Sequence, residues 1–307
     1  MITLQLLQQI IVFFLMMACG FSVVKCGLID AKSSRTLSVI CIYIIMPCVM
    51  INAFQIEYSR SIRNGFLLAI AAAVLIHIFL LVFTQIIGKP LKLSVVEKES
   101  IIYSNSGNLV IPLVTVVLGE EWVIYASGFM CVQTIIVWTH GQSLMQGQRQ
   151  VNWKKIVQNI NLIAILAGLV FFLCNIHLPK ILDSMTSSLA GMIGPISMVM
   201  IGMLLAGVDW KLVFGKRRIY GIVFLKMIVV PGIITLCLKL AAPLIPMENA
   251  KTILLISLLA VIAPTAVTIT QMAQLYKRDA AYASSINVFT TLVCIVTMPL
   301  MVMLYML

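Results

Sequence analysis

The stretch Asn105-Ser106-Gly107-Asn108-Leu109-Val110-Ile111-Pro112 interrupts an otherwise apolar segment that has the length of a membrane helix. A second interruption, Ala263-Pro264-Thr265, follows about half a chain later in another such segment. The hydrocarbon core of a bilayer has no water to satisfy backbone groups at a helix break, so a break must be packed in protein or line a wet cavity. Two breaks at corresponding places in two halves of a chain indicate the substrate site of a transporter.

The composition is that of a polytopic membrane protein. Of the 307 residues, 62% are hydrophobic and only 10% are charged, whereas an average soluble domain is about 25% charged. The net charge of +11 does not indicate a nucleic-acid partner, because the basic residues lie in short clusters between apolar runs. The eight cysteines form no C-x-x-C pair and no metal-binding spacing with histidine, so we expect neither a metal nor a cofactor.

Ten apolar runs of membrane-spanning length predict an all-α protein with ten transmembrane helices. The predicted spans are Thr3–Cys26, Leu37–Phe54, Asn64–Ile87, Ser100–Leu118 (broken), Trp122–Leu144, Ile156–Ile176, Ser184–Val208, Ile219–Leu240, Ala250–Tyr276 (broken) and Ala281–Tyr305. Most of the 21 lysines and arginines lie in the connections that follow odd-numbered spans. The positive-inside rule therefore puts these connections in the cytoplasm and both termini outside it.

Matching motifs relate the two halves of the chain. Tyr125-Ala126-Ser127-Gly128 opens span five, and Tyr282-Ala283-Ser284-Ser285 opens span ten. Prolines recur in the second and fourth spans of each half: Pro47, Pro112, Pro195 and Pro264. Because five is an odd number of spans, the second half starts on the opposite side of the membrane, which predicts an inverted repeat. We therefore divide the chain into a first five-helix repeat (1–146), a short cytoplasmic linker (147–155) and a second, inverted repeat (156–307), although apolar helices can also look alike by chance.

Several motifs resemble those of the auxin efflux carrier family. Residues 105–113 are similar to its span-four signature, roughly Asn-x-Gly-x-x-Gly-x-Pro-Leu, with Val110 where the family usually has its second glycine. Residues 195–206 look like the family's seventh span, and residues 226–231 resemble the basic residue followed by proline in its eighth. Residues 263–299 are similar to its C-terminal block. The resemblance covers the whole chain.

This resemblance implies two inverted five-span repeats whose broken spans four and nine cross at their breaks, the architecture of bile-acid symporters and sodium–proton antiporters. It implies a scaffold part and a moving transport part that work as an elevator in the cell membrane. Family members export auxin in plants or carry malate and similar organic anions in bacteria. The short linker between spans five and six, in place of the long hydrophilic loop of many plant members, favours a bacterial-type organic-anion carrier.

The crossing of the two breaks is the expected substrate site. Restarting half-helices present unpaired N–H groups and the positive ends of their dipoles, which attract an anion. Asn105 and Asn108, three residues apart, are expected on the same side of a helix. All ten acidic residues are expected in connections or at span ends, so a cationic substrate would find no countercharge. The candidate substrate-binding residues are Asn105, Gly107, Asn108, Pro112, Pro264, Thr265, Thr268, Gln271 and Lys226.

Five of the candidate side chains have a second interpretation. The two asparagines could only cap the broken helix, and Gln271 could make an interhelical hydrogen bond. Lys226 could pair with the negative ends of half-helices, lie in the anion pathway, or extend to the cytoplasmic interface. His77, the only histidine deep in a predicted span, is a candidate for proton coupling, with a buried neutral imidazole as the alternative.

Other functions remain open at this point. A sodium-coupled symporter of the bile-acid type would share the crossed-helix architecture, so the coupling ion, Na⁺ or H⁺, and a uniport are not decided. A membrane sensor that binds a ligand without moving it is a third alternative. An intramembrane enzyme is disfavoured, because no H-E-x-x-H, paired membrane aspartates or G-x-S-x-G is present. The expected partners are a small organic anion and the lipid bilayer, with a homodimer left open.

Overall fold

The computed structural model describes residues 2–147 and 153–307, and within these ranges all regular secondary structure is helical. The helices are α1 (Ile2–Lys25), α2 (Ala31–Ala53), α3 (Arg60–Gly88), α4 (Val95–Ile102), α5 (Ser106–Val117), α6 (Glu120–Gln146), α7 (Trp153–Val157), α8 (Ile160–Leu173), α9 (Lys180–Ala206), α10 (Trp210–Gly215), α11 (Arg217–Leu244), α12 (Ala250–Ile262), α13 (Val267–Leu275) and α14 (Ala280–Met306). Residues 148–152 of the predicted linker 147–155 lie outside the described residues.

The helices lie where the apolar runs predict them. Each predicted unbroken span coincides with one helix, while span four coincides with α4 and α5 and span nine with α12 and α13. Among the described residues, seven helices are long and apolar enough to cross a membrane, namely α1, α2, α3, α6, α9, α11 and α14. Helices α5, α8 and α12 are apolar but shorter. The chain is a polytopic helical membrane protein, and the count of ten spans stays a prediction.

Exposed apolar stripes show which helix faces suit lipid. On α8, the side chains of Ile163, Leu166, Val170 and Leu173 are each about half exposed. Their spacing of three, four and three residues places them on one face of the helix. A contiguous apolar face of this kind is rare on soluble proteins and indicates contact with a membrane or a partner.

Three helices widen into a π-helical turn just before a proline. The pairs of turn and proline are Cys41–Ile45 with Pro47, Ser106–Val110 with Pro112, and Leu225–Val229 with Pro231. Proline lacks a backbone N–H and its ring clashes with the carbonyl four residues earlier. A wider turn is a known way for a helix to absorb such a disturbance. A fourth π turn, Val137–Gly141, is not followed by a proline and contains His140.

The described chain divides into two compact units, each of which draws on both halves of the sequence. The first unit contains the residues up to Phe66 together with Gly107–Ser127 and Val157–Gly207. The second contains Leu67–Ser106, Gly128–Ile156 and Val208–Leu307.

In the first unit, α1 and α9 approach so closely that only glycine fits at two points. A Cβ atom built on Gly20 would lie 2.1 Å from the carbonyl oxygen of Val199, and one on Gly202 would lie 1.9 Å from that of Met17. Small residues that allow backbones to touch are the usual basis of tight helix packing in membranes.

The second unit is built around α12, which is buried over nearly its whole length, from Ile253 to Ile262. A helix that is apolar all round is typical of a protein core or of a membrane span. It packs against α11 and α14, and its last residue leads directly into the interruption at Ala263-Pro264. The core of this unit therefore fixes the position of the second break.

Candidate functional site

The two breaks in the second unit pair with each other as short extended segments. Ser104 and Thr265 form an antiparallel bridge. The Asn105 N–H donates to the Pro264 carbonyl oxygen at 2.7 Å, and the Ala266 N–H donates to the Tyr103 carbonyl oxygen at 3.1 Å. Because Pro264 has no N–H, it takes part only as an acceptor. Backbone groups that would be costly to bury unpaired are thus satisfied by the opposite break.

A glutamine from α6 holds the first break in place. The Gln133 Oε1 atom accepts from the Ser104 N–H at 3.3 Å, and its Nε2 donates to the Ser104 carbonyl oxygen at 2.8 Å and to Ser106 Oγ at 2.9 Å. The Gln133 side chain is 8% exposed. Gln133 could not be singled out from the sequence, because a lone glutamine in an apolar span can form an interhelical hydrogen bond with many different partners.

Thr265 is occupied by contacts within the protein. Its N–H donates to Thr290 Oγ1 at 3.1 Å, and its own Oγ1 donates to the Ser100 carbonyl oxygen at 3.0 Å. The Asn287 side chain donates to the Thr265 carbonyl oxygen, and Thr265 is fully buried. Its side chain therefore supports the second break, and its hydroxyl proton is not available to a ligand in this arrangement.

Lys226 lies beside the first break, at the end of α4. Its side chain is fully buried, and its Nζ donates to Ser104 Oγ at 2.6 Å and to the Ile101 carbonyl oxygen at 3.2 Å. Ile101 belongs to the last turn of α4, where unpaired carbonyls form the negative end of the helix dipole. This contact corresponds to the alternative in which Lys226 pairs with the negative end of a half-helix. The buried side chain does not extend to the cytoplasmic interface.

Three other predicted site residues have side-chain hydrogen-bond donors that make no hydrogen bond to a described residue. The side chains of Asn105, Thr268 and Gln271 make no hydrogen bond to any described residue, although Asn105 is 6% exposed. Ala266 precedes α13 and has no side-chain oxygen to cap its first turn. The expectation that Asn105 and Asn108 share one side of a helix is wrong, because Asn105 lies in the extended segment that pairs with Pro264.

The remaining candidates belong to the first unit. Gly107 and Asn108 are half-buried in the π turn at the start of α5, and Pro112 is buried. Val110 has ordinary helical angles, φ −77° and ψ −40°, so this position does not need the conformational freedom of the glycine that the auxin efflux carriers usually have there. The departure from the family signature is compatible with the local backbone.

His77 is fully buried on α3. Its Nδ1 lies 2.7 Å from the Ala73 carbonyl oxygen, and its ring packs on Phe129 with 5.1 Å between centroids. An imidazole hydrogen-bonded to its own helix and covered by an aromatic ring fits the interpretation of a buried neutral histidine. No described acidic residue forms an ion pair with it.

A buried carboxyl group, Glu99 on α4, was missed by the sequence analysis. It was placed in a connection, one residue before span four, but its side chain is completely buried and neither oxygen has a described hydrogen-bond partner. Burial raises the pKa of the Glu99 carboxyl to about 8, because a charged carboxylate is disfavoured away from water. At neutral pH this group is therefore largely protonated and does not add a negative charge.

The surroundings of Glu99 are polar on one side. His140 Nδ1 lies 4.0 Å from Glu99 Oε1 and 3.0 Å from the Tyr103 hydroxyl. Gly141 leaves room for the carboxyl group, since a Cβ atom there would lie 2.8 Å from Glu99 Oε2. The one sequence signal for this cluster was the position of His140 inside predicted span five, and alone it could not identify its partner.

The described residues contain no cluster of three or more His, Cys, Asp or Glu side chains that could hold a metal ion. The polar groups at the paired breaks are amides, hydroxyls, backbone N–H groups and the buried amino group of Lys226. Such an arrangement can bind an oxygen-rich anion through hydrogen bonds.

A known family model matches the chain. The chain matches the family model described as membrane transport protein over residues 5–155 and 148–302. Together the two matches cover nearly the whole chain. No curated protein matches the sequence significantly.

Proposed function

Because the chain belongs to the auxin efflux carrier-type family of membrane transport proteins, we propose that it carries small organic anions across the cell membrane. The substrate class is auxin-like acids or mono- and dicarboxylates such as malate. A carboxylate accepts hydrogen bonds but donates none when ionised. Its binding site must therefore supply N–H or O–H donors.

The observation that carries this proposal is the set of unused donors at the paired breaks. The Asn105 side-chain amide and the Thr268 hydroxyl have no described acceptor, whereas in the first turn of α13 the Ile269 N–H already donates to the Ala266 carbonyl oxygen. The amino group of Lys226 is bonded to Ser104, the residue before Asn105. The start of a helix carries a partial positive charge that favours an anion. We assign Thr268 as an additional donor from the first turn of α13, with Thr265 and Pro264 shaping the backbone around it.

Gly107, Asn108 and Pro112, which belong to the first unit, remain proposed substrate-binding residues. We propose ten spans in two inverted repeats, both termini outside the cytoplasm, and alternating access of the elevator type. The two compact units are our candidates for the scaffold part and the transport part, because each draws on both repeats. Gln271 is exposed and is the weakest member of the proposed site.

The test is transport by purified protein in liposomes. We expect saturable uptake of labelled malate or labelled auxin, and competition by the unlabelled acid. Parallel assays with and without Na⁺, and with and without a pH gradient, distinguish a sodium-coupled symporter, a proton-coupled carrier and a uniporter. Binding without uptake would indicate a sensor. Absence of saturable binding and uptake for every acid tested, with folded protein confirmed by its thermal unfolding, would contradict the proposal.

A further inference from the structure

A strongly basic cavity lies in the second unit, where α4, α11 and α14 begin. Its volume is about 580 Å³, which is within the range of about 300–1,000 Å³ for small-molecule sites. It is open to the outside of the protein. The charged side chains that line it are Lys92, Glu97, Lys216, Arg217, Arg218, Arg278 and Asp279. None of them belongs to the paired breaks.

One arginine and one glutamate in this cavity neutralise each other. The Arg218 guanidinium donates to both carboxylate oxygens of Glu97 and to the carbonyl oxygens of Leu91 and Lys92. The Tyr282 hydroxyl also donates to Glu97, at 2.8 Å. Burial alone would raise the pKa of the Glu97 carboxyl, but these hydrogen bonds hold it below its usual value. Glu97 therefore stays charged and forms its ion pair with Arg218, not with the other cations of the cavity.

The second acidic residue, Asp279, is also committed. Its carboxylate accepts from the Tyr282 N–H at 2.9 Å as the cap of α14, and it lies 3.8 Å from Lys216 Nζ. Lys216 is in turn 4.9 Å above the ring of Tyr282. Both carboxylates of the cavity are thus paired with a cation, Glu97 with Arg218 and Asp279 with Lys216.

Three cations remain without an acidic partner among the described residues: Lys92, Arg217 and Arg278. Arg278 uses only its Nε, which donates to the Met145 carbonyl oxygen at 2.8 Å. All three side chains are exposed at the cavity. Their mutual repulsion, and the repulsion between Arg217 and the positive end of α11, is relieved when an anion binds between them.

We propose that this cavity binds a phosphate-bearing anion. Guanidinium groups match phosphate oxygens in two-point hydrogen bonds, and a phosphate group carries up to two charges to set against the three unpaired cations. The same chemistry is offered by the headgroup of an anionic phospholipid and by a soluble phosphorylated molecule. Basic pockets at the cytoplasmic ends of membrane helices are well suited to such headgroups. The site is separate from the proposed anion carrier site and does not depend on transport.

The test compares two matched double variants. Lys92→Gln with Arg217→Gln removes two unpaired cations of the cavity. Lys32→Gln with Arg35→Gln removes the same pair of residue types from a predicted connection on the same side of the membrane, outside the cavity. This control measures how much binding is lost when two basic residues outside the cavity no longer attract anionic lipid. Each protein is purified in detergent, and its unfolding temperature is first measured without ligand.

The ligands are soluble dioctanoyl phosphatidylglycerol, dioctanoyl phosphatidylcholine as the zwitterionic control, and inorganic phosphate at constant ionic strength. We expect phosphatidylglycerol, phosphate or both to raise the unfolding temperature of the parent protein, with phosphatidylcholine giving no shift. The cavity variant should bind about tenfold more weakly, as expected for the loss of one or two charge-assisted hydrogen bonds. The Lys32/Arg35 variant should bind like the parent.

A shift with phosphatidylglycerol alone identifies a lipid headgroup as the source, and a shift with inorganic phosphate alone identifies a soluble phosphate. A shift with both ligands shows that the cavity recognises the phosphate group that they share. No shift with either ligand would overturn the proposal, as would equal weakening in both double variants. If the cavity variant does not fold, Arg278→Lys tests the same point, because it keeps the charge but removes the guanidinium fork. Unchanged affinity in both Arg278→Lys and Arg278→Gln would likewise overturn the proposal.

Discussion

Lys226 donates a 2.6 Å hydrogen bond to Ser104 Oγ from a completely buried position. It also bonds the Ile101 carbonyl oxygen at 3.2 Å, at the end of α4. An amino group that donates hydrogen bonds in this position offsets the partial negative charge of the last carbonyls of the half-helix. Lys226 therefore stabilises the first break directly, whatever further role it has for an anion.

We expect Lys226→Met to destabilise the protein, because two buried acceptors lose their donor while the apolar stem is kept. Leaving a buried polar group unpaired costs about 1–3 kcal/mol, so the free energy of unfolding in mixed micelles should fall by a similar amount. Lys239→Met on the same helix is the control, since Lys239 bonds only the Leu304 carbonyl oxygen in an exposed position. Equal effects in the two variants would contradict this role of Lys226.

The positions of the helices and both breaks were predictable from the sequence. Apolar runs of this length favour helices in a membrane, because a helix satisfies its backbone groups within the segment, and Pro112 and Pro264 mark where the two broken spans are interrupted. The same elements carry the candidate site, since the residues around Pro264 form the second break. The pairing of these two breaks as extended segments could not be derived, because it depends on how α12 packs against α11 and α14.

Contacts between side chains far apart in the chain could also not be predicted from the sequence. Gln133 and Ser104 belong to different spans, and no periodicity links their positions. Glu99 was assigned to a connection because hydropathy alone marks charged residues as span ends. Its complete burial follows from the helices that surround α4, and only the structure brings His140 to it.

We expect Gly202→Ala to weaken the first unit by preventing the close approach of α1 and α9. The added methyl group would lie 1.9 Å from the Met17 carbonyl oxygen, and this backbone atom cannot move away without shifting α1. Forcing an extra group into a packed interface costs about 1–3 kcal/mol, which should appear as a lower unfolding temperature in detergent. Gly191→Ala on the same helix has nothing within 4 Å of its added atom and should leave the unfolding temperature unchanged or higher. A stable Gly202→Ala protein would show that the helices can separate at little cost.

We expect Asn105→Ala to weaken substrate binding without destabilising the protein. The Asn105 side chain makes no hydrogen bond to a described residue, while its backbone N–H, which the substitution keeps, bonds Pro264. A hydrogen bond to a charged group contributes about 1.5–3 kcal/mol, so the affinity for a transported acid should fall about tenfold or more. Titration of the purified protein with that acid measures the change, and Asn64→Ala at an exposed position is the control. An unchanged affinity would remove Asn105 from the site.

The buried carboxyl group of Glu99 should make the stability of the protein depend on pH. Its pKa is about 8 in the folded protein, against a usual value of 4.5. A carboxyl group with a raised pKa binds its proton more tightly in the folded state than in the unfolded state. Between about pH 4.5 and pH 8 the folded state therefore holds more protons, and stability falls as the pH rises through this window.

We accordingly expect the unfolding temperature of the parent protein in detergent to decrease from pH 5 to pH 8. Glu99→Gln keeps the shape of the side chain but cannot ionise, so its unfolding temperature should decrease less over the same range. Glu121→Gln at an exposed position should retain the full decrease of the parent, and it controls for the loss of a carboxyl group in general. The three proteins are compared at constant ionic strength, so that screening of surface charges is the same at each pH. Parallel curves for the parent and Glu99→Gln would mean that Glu99 has the same pKa in the folded and unfolded states, and that water or an ion reaches its carboxylate.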